Sequence, residues 1–256
     1  MSLFDLTGKT AIVTGSSRGI GRAIAEQLAA HGAKVVISSR KAGPCEEVVA
    51  EIKKAGGTAV SFPCHVGDKA QLEQLVARTH EAFGPIDILV CNAAVNPYYG
   101  PLLDIPDEAY DRTMDTNVRS SLWLAQLAHR DMAPRNDGVI ILVSSIVGIR
   151  GSAMLGAYAI SKAADLQLAR NLAIEWGEHN IRVNCIVPGL VKTDFARALW
   201  ENKELLEQTI RNTPLHRIGD PIDIAGAAVF LASPAGRFVT GQAIVADGGV
   251  TIAGRL

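Results

Sequence analysis

The chain has 256 residues, a formal net charge of -1 and 48% hydrophobic content. That balance excludes disorder and supplies no basic field for nucleic acid or an anionic membrane surface, while leaving enough apolar material for a large core. With no basic-then-apolar leader and no run near the ~18 apolar residues that span a bilayer, a soluble, cytoplasmic protein with a small-molecule partner is expected.

The first expected element is a short strand, Thr10 to Val13. Thr14-Gly15-Ser16-Ser17-Arg18-Gly19-Ile20-Gly21 follows at once and opens a helix, Ile20 to His31, that Gly32 stops. Glycines at 15, 19 and 21 let the backbone turn sharply and approach a pyrophosphate, whose charge meets free N–H groups and the positive end of the helix. Gly15, Ser17, Arg18, Gly19, Ile20 and Gly21 are therefore candidate cofactor contacts.

The second strand, Lys34 to Ser38, runs into Ser39-Arg40-Lys41. About twenty residues beyond the glycine turn, an NAD-preferring protein carries an acid for the ribose 2′-hydroxyl. This chain has none. Arg40, with Lys41 and with Arg18 from the glycine turn, is placed to bracket a 2′-phosphate by charge-assisted hydrogen bonds, so NADP(H) is the expected cofactor.

Strand Thr58 to Pro63 follows Gly56-Gly57, and helix Leu72 to Phe83 ends at Gly84-Pro85 before strand Ile86 to Cys91. A helix over Tyr110 to Met132 comes next, with Asp107 as the expected cap of its start. Strand Val139 to Ser144 leads to Ser145, and helix Gly156 to Trp176, closed by Gly177, carries Tyr158 and Lys162. One helical turn puts the phenol and the ammonium on one face, where the cation favours phenolate and makes Tyr158 a usable proton donor.

After strand Arg182 to Val187, the mixed segment Lys192 to Arg217 interrupts the rhythm before a helix near Pro221 and a last strand, Ala243 to Ala246. An excursion at the carboxyl end of a strand is where open α/β sheets take ligands, so a small helical substrate lid is expected over about residues 190–217. The alternation as a whole predicts an α/β fold: a single-domain, Rossmann-type, doubly wound parallel sheet with helices on both faces, spanning 1–256.

The four cysteines and six histidines are scattered without ligand spacing, so no metal is expected. The terminal Gly254-Arg255-Leu256 is a weak approximation to a peroxisomal address, with glycine at the wrong place.

Thr14-Gly15-x3-Gly19-x-Gly21, Asn92-Ala93-Ala94, Asn117, Ser145, Tyr158-x3-Lys162, Pro188-Gly189 with Thr193, and Asp247-Gly248-Gly249 stand in the order and spacing of one family. From about Thr7 to Gly249 the chain resembles the short-chain dehydrogenase/reductases. His65, Asn92 to Pro97, Ser38 to Lys41 and Asn184 to Thr193 are similar to the NADPH-dependent carbonyl and retinal reductases of the peroxisomal dehydrogenase/reductase type. Two departures are Ala94, where the family usually has glycine, and His65, where it often has an Asp against adenine.

The resemblance implies a catalytic group of Asn117, Ser145, Tyr158 and Lys162. Ser145 holds the substrate oxygen, Tyr158 delivers the proton, Lys162 bonds the nicotinamide ribose and depresses the Tyr158 pKa, and Asn117 holds a water that relays protons. It adds Ser39, His65, Val66, Asn92, Ala93, Pro188, Gly189, Val191 and Thr193 to the cofactor contacts, with Tyr158 and Lys162. It also implies a pocket walled by Val95, Tyr98, Met154, Leu155, Phe195 and Trp200. The expected protein is an oxidoreductase, a homotetramer or else a homodimer, reducing hydrophobic or aromatic ketones, dicarbonyls or aldehydes. The alternatives are a 3-oxoacyl-acyl-carrier-protein reductase and, from another class, a non-catalytic NADP(H)-sensing binding protein.

Overall fold

The computed structural model describes residues 2–253, so the terminal tripeptide considered above lies outside the described residues. Seven strands form one sheet: β1 (Thr10–Thr14), β2 (Lys34–Ser38), β3 (Thr58–Ser61), β4 (Ile88–Cys91), β5 (Gly138–Val143), β6 (Ile181–Pro188) and β7 (Ala243–Ala246). Their order is β3-β2-β1-β4-β5-β6-β7, and every pairing is parallel. Parallel neighbours need covering crossovers, supplied by α1 (Gly19–Ala30), α2 (Ala42–Lys54), α3 (Lys69–Phe83), α4 (Asp107–Met114), α5 (Ser120–Met132), α6 (Gly156–Glu175), α7 (Arg197–Trp200), α8 (Lys203–Asn212) and α9 (Pro221–Ala232).

Alternation along each strand divides its side chains between two cores. Val13, Ile37, Val90 and Ile141 meet Ile24 and Leu28 of α1, Val48 of α2 and Ile224 of α9 on one face. Ile12, Val36, Leu89 and Ile140 meet Leu72 of α3, Leu124 of α5 and Leu166 of α6 on the other. The doubly wound α/β architecture is the one expected from the sequence.

Helix punctuation follows backbone chemistry at two glycines. Gly32, at φ +99°, ends α1 while Ala33 N–H donates to Leu28 O at 3.1 Å, and Gly56, at φ +87°, ends α2 while Gly57 N–H donates to Ile52 O at 2.9 Å. Two expectations need correction. Asp107 is the first residue of α4 rather than its cap, because Pro106 already fixes the entry, and its side chain makes no capping bond. The helix expected over 110–132 is interrupted at Asp115–Arg119 by a π turn, so α4 and α5 are out of helical register.

The segment after β6 leaves and returns at one point. Lys192 N–H donates to Gly219 O and Gly219 N–H to Leu190 O, both at 2.9 Å, which pins the ends of an excursion holding α7 and α8. Among the described residues no helix is long and apolar enough to cross a membrane.

Gly32 offers a test of this packing. A Cβ there would stand 2.7 Å from Thr7 Oγ1 and 3.0 Å from Thr7 Cα at a positive φ, so Gly32→Ala is expected to lose about 1–3 kcal/mol in chemical denaturation. Gly43→Ala, within α2 and with nothing inside 4 Å, should be neutral or stabilise by about 0.5 kcal/mol.

Candidate active site

Because all strands are parallel, their carboxyl ends share one edge, and the crossovers diverge where β1 lies beside β4. That is the topological switch point, where such sheets take ligands. The glycine turn follows β1 there. Gly15 and Gly19 adopt φ +65° and +57°, and a Cβ on Gly21 would lie 2.4 Å from Asn92 Nδ2 and 2.5 Å from Gly15 O. Only a backbone without side chains fits this approach. Arg18 occupies the N-cap of α1 without a side-chain cap, and no acid stands in the first turn. The orphan N–H groups at this helix start suit an anion.

The turn is tied to its neighbours. Ser38 N–H donates to Ser16 Oγ at 2.9 Å and Ser16 N–H to Ser38 O at 3.2 Å, which ties the end of β2, just before Ser39 and Arg40, to the turn. Asn92 Nδ2 donates to Thr14 O at 2.9 Å, and Ala93 N–H to Thr14 Oγ1 at 3.1 Å. From across the cleft, Thr193 Cγ2 would stand 3.2 Å from a Cβ on Gly19, so the Pro188–Gly189–Val191–Thr193 loop reaches the cradle. Arg40 is exposed and makes no hydrogen bond or ion pair among the described residues. The exposed Arg18 guanidinium pairs with Asp194 at 3.3 Å.

His65 and Val66 follow β3. Val66 is core, whereas the exposed His65 accepts from Gly67 N–H through Nδ1 at 3.2 Å, which leaves Nε2 as the proton-bearing nitrogen of the neutral ring.

The structure brings Asn117, Ser145, Tyr158 and Lys162 together. Asn117 sits in the π turn, where Ser120 and Ser121 hydroxyls donate to the Thr116 and Asn117 carbonyls displaced from the helical ladder. Its amide is spoken for: Val95 N–H donates to Oδ1 at 2.8 Å, and Nδ2 donates to Val95 O and Ser161 Oγ, each at 3.0 Å. Ser161 Oγ in turn donates to Tyr158 O at 2.7 Å. Ser145 caps the turn after β5, and Ser144 Oγ donates to Lys162 O at 2.7 Å, docking α6 on that strand end.

Lys162 and Tyr158 lie on one face, as their spacing requires, with Nζ 5.8 Å from the ring centroid. The ammonium is buried and donates to Val143 O and Asp165 Oδ2, both at 2.9 Å. Lys162 lowers the Tyr158 pKa, as expected, but does not set its net direction. Burial pushes the phenol above its ordinary value; Lys162 and the Ser145 hydroxyl pull it down, and Asp165 pushes it up again. Spacing along a helix reveals the cation but not the depth of the site or its counterion. Asp165 was the residue the motif reading missed, although an acid at i+3 on an apolar stripe was visible.

Of the expected pocket wall, Val95 is clamped by Asn117, and Phe195 stacks obliquely 5.9 Å from the Tyr158 ring. Met154 and Leu155 are joined to the opposite wall by Gly100 N–H donating to Met154 O at 2.9 Å. Trp200 is tied back through Nε1 to Thr193 O at 2.7 Å. Tyr98 turns onto its own loop, its hydroxyl donating to Pro101 O at 3.1 Å, because Gly100 leaves room for the ring. No cluster of His, Cys, Asp and Glu among the described residues is arranged to hold a metal ion.

Residues 15–251 match the family model described as enoyl-(acyl carrier protein) reductase. The chain is 43% identical over 244 residues to dehydrogenase/reductase SDR family member 4 of Bos taurus, covering 95% of this chain and 88% of the relative. Among solved structures, a 7α-hydroxysteroid dehydrogenase complexed with NADH and 7-oxo glycochenodeoxycholic acid superposes with a TM-score of 0.93 at 38% identity, covering 96% of each chain. A gluconate 5-dehydrogenase from Burkholderia cenocepacia, in complex with NADP and tartrate, reaches 0.94 at 32% identity, covering 98% of each.

The cradle geometry makes Gly21→Ala a direct test. The methyl group has to displace Asn92 or the Gly15 carbonyl, so affinity for a nicotinamide dinucleotide, read by fluorescence titration, should fall at least about 10-fold. Unchanged affinity would place the dinucleotide elsewhere.

Proposed function

The chain belongs to the short-chain dehydrogenase/reductase family, and from that premise we propose that it is an NADP(H)-dependent carbonyl reductase acting on hydrophobic or aromatic ketones, dicarbonyls or aldehydes. The observation that carries this reading is that one edge of the parallel sheet, at the carboxyl ends of its strands, bears a glycine turn with no room for a Cβ at Gly21, an Arg40 with no partner among the described residues, and the Ser145–Tyr158–Lys162 group.

The residues fit a dinucleotide. The glycine turn and the start of α1 would take the pyrophosphate, Arg40 and Ser39 the 2′-phosphate, with Arg18 exchanging Asp194 for that phosphate. His65 Nε2–H and Val66 would lie against adenine, Asn92 and Ala93 along the ribose, and Pro188 to Thr193 against the carboxamide. The bound nicotinamide supplies the hydride.

The protein's own part is proton delivery and orientation. Ser145 Oγ holds the carbonyl oxygen while Tyr158 Oη donates its proton to it. A phenol pushed up by burial is fully protonated near neutrality, which suits reduction. Lys162 orients the ribose and stabilises the phenolate left behind. Asn117 holds the Val95 wall and, through Ser161, the Tyr158 backbone, and its π turn would carry the relay to solvent.

The excursion from 190 to 217 acts as the lid, with Phe195 beside Tyr158 giving the pocket an apolar edge. Exposed Ile160 and Ile174 on α6 support a homotetramer assembled on its long helices, which sedimentation would report as four chains. A 3-oxoacyl-acyl-carrier-protein reductase is the second reading, favoured by the acyl-carrier description of the matching family model.

A panel of aryl ketones, dicarbonyls, polyols and an acyl-carrier thioester, followed with NADPH and NADH, tests the proposal. NADPH with aryl ketones should win, and Arg40→Asp should reverse the cofactor preference by at least about 10-fold. Preference for polyols would sink the substrate class, and thioester turnover without ketone turnover would install the second reading. Tyr158→Phe should lose about 10²–10⁴ in kcat while cofactor affinity holds. Because Tyr158 must be protonated to reduce, native kcat should be level near neutrality and fall as pH rises through its raised pKa.

A further inference from the structure

Asp165 takes no part in the reaction just described, yet it is buried beside its centre. The residue is 2% exposed, Oδ2 lies 2.9 Å from Lys162 Nζ, and Oδ1 has no hydrogen-bond partner among the described residues. A carboxylate in such a place is a poor source of stability, because desolvating two ions offsets their attraction and an apolar pair of similar volume usually does as well. Its neighbours on α6, Leu166, Ala169 and Leu172, are apolar core. A stabilising role therefore accounts for it badly, and its contact with Lys162 is what distinguishes it.

We propose that Asp165 is a positioning residue whose buried carboxylate holds the Lys162 ammonium against the carboxyl end of β5 and keeps it charged beside Tyr158. The geometry of a three-proton donor supports this. One N–H of Lys162 goes to Val143 O and one to Asp165, which leaves the third for a ligand. Without a counterion, a buried lysine favours its neutral amine. Burial does push the Lys162 ammonium down, but Asp165 first and Tyr158 next carry it above its ordinary range. Burial pushes the Asp165 carboxyl above its ordinary range, and the ammonium offsets only part of that rise.

The other titratable groups around the pair do not replace Asp165. Cys91, at the end of β4, is pushed up to about 12 by burial, and Cys185, on β6, is pushed above its usual range, so both stay neutral thiols. Arg170, further along α6, adds positive charge on the Cys185 side. Tyr158 becomes an anion only when it has given up its proton.

The consequence for turnover rests on the oxidoreductase reading; the charge of Lys162 does not, and the two are separable by experiment. The Cε resonance of Lys162, assigned by its loss in Lys162→Met, reports the titration directly by carbon NMR on the chain as it stands. In Asp165→Asn, Lys162 is expected to titrate at least about one pH unit lower than in the native chain. The alkaline fall of carbonyl reduction should move the same way, because a neutral Lys162 and a less shielded Tyr158 both remove the working form at lower pH. Asp165→Ser carries the same measurement if the Asn variant does not accumulate, and Asp165→Glu should restore much of the native titration. A Lys162 that titrates at the native pH in the Asn and Ser variants overturns the proposal, whatever their kinetics. A native chain that oxidises no NADPH with any carbonyl overturns the functional reading, while the lysine titration still decides the role of Asp165.

Discussion

An ammonium taken out of water must regain both its hydrogen bonds and a compensating charge, and Lys162 obtains them from the end of β5 and from the two neighbouring turns of its own helix, α6. Val143 supplies a carbonyl from the end of β5, Asp165 a carboxylate from the next turn of α6, and Tyr158 an aromatic face from the turn before. Each contact fixes something beyond the lysine. The Val143 bond and the Ser144 hydroxyl on Lys162 O together hold α6 on β5, so the register of helix against strand is set by the same residues that set the electrostatics. That register then determines how near Tyr158 stands to Ser145.

A second constraint meets it from the other side. Crossovers leave β1 and β4 in opposite directions, so the chain cannot cover the strand ends between them. The gap is lined almost wholly by backbone: Gly15, Gly19 and Gly21 from one strand, and Asn92 and Ala93 from the other, bonded to Thr14. Asn117 couples this half to the first. Its amide grips Val95, three residues beyond Asn92, and Ser161, one before Lys162, so a displacement of α6 is felt on the cofactor side. The π turn lets a helical asparagine face both partners, and two serine hydroxyls satisfy the carbonyls that the turn displaces.

These couplings explain what could be read in advance. Parallel strands buried on both faces are continuous apolar runs, and β2 was legible to the residue on that ground; β7, a half-exposed edge strand, was legible from its short apolar run alone. The glycine cradle and the Tyr158–Lys162 face were legible because each is local: a turn of eight residues and a single helical turn. The interruption at Asp115–Arg119 was not, since one inserted residue leaves the apolar periodicity of 110–132 almost intact. Nor was the raised phenol of Tyr158, because it depends on burial, on Asp165 further along α6 and on Ser145 and Phe195, which reach the ring from distant parts of the chain. Tyr98 shows the same limit on a smaller scale. Its ring belongs to the expected wall by sequence, but the space above Gly100 turns the hydroxyl onto Pro101.

Cofactor and substrate sides differ in how tightly they are specified. The cradle is held by main-chain bonds and by glycines that tolerate no methyl group, so its shape follows from the fold and changes little with surface sequence. The opposing wall is carried by the excursion, which is anchored where Val191 meets Gly219, where Asp194 pairs with Arg18 and where Leu215 N–H donates to Gly248 O at 3.2 Å, and which presents Phe195 more than half exposed. Close superposition on structures that hold a steroid with one nicotinamide cofactor and tartrate with the other fits this division, since the shared backbone can select neither. On the function proposed above, selection comes from side chains: from Arg40 where a family relative using NAD would place an acid, and from Phe195, Met154 and Leu155 around the carbonyl. On that reading those positions join a cationic end of the site to an apolar one, with the Lys162–Asp165 ion pair between them.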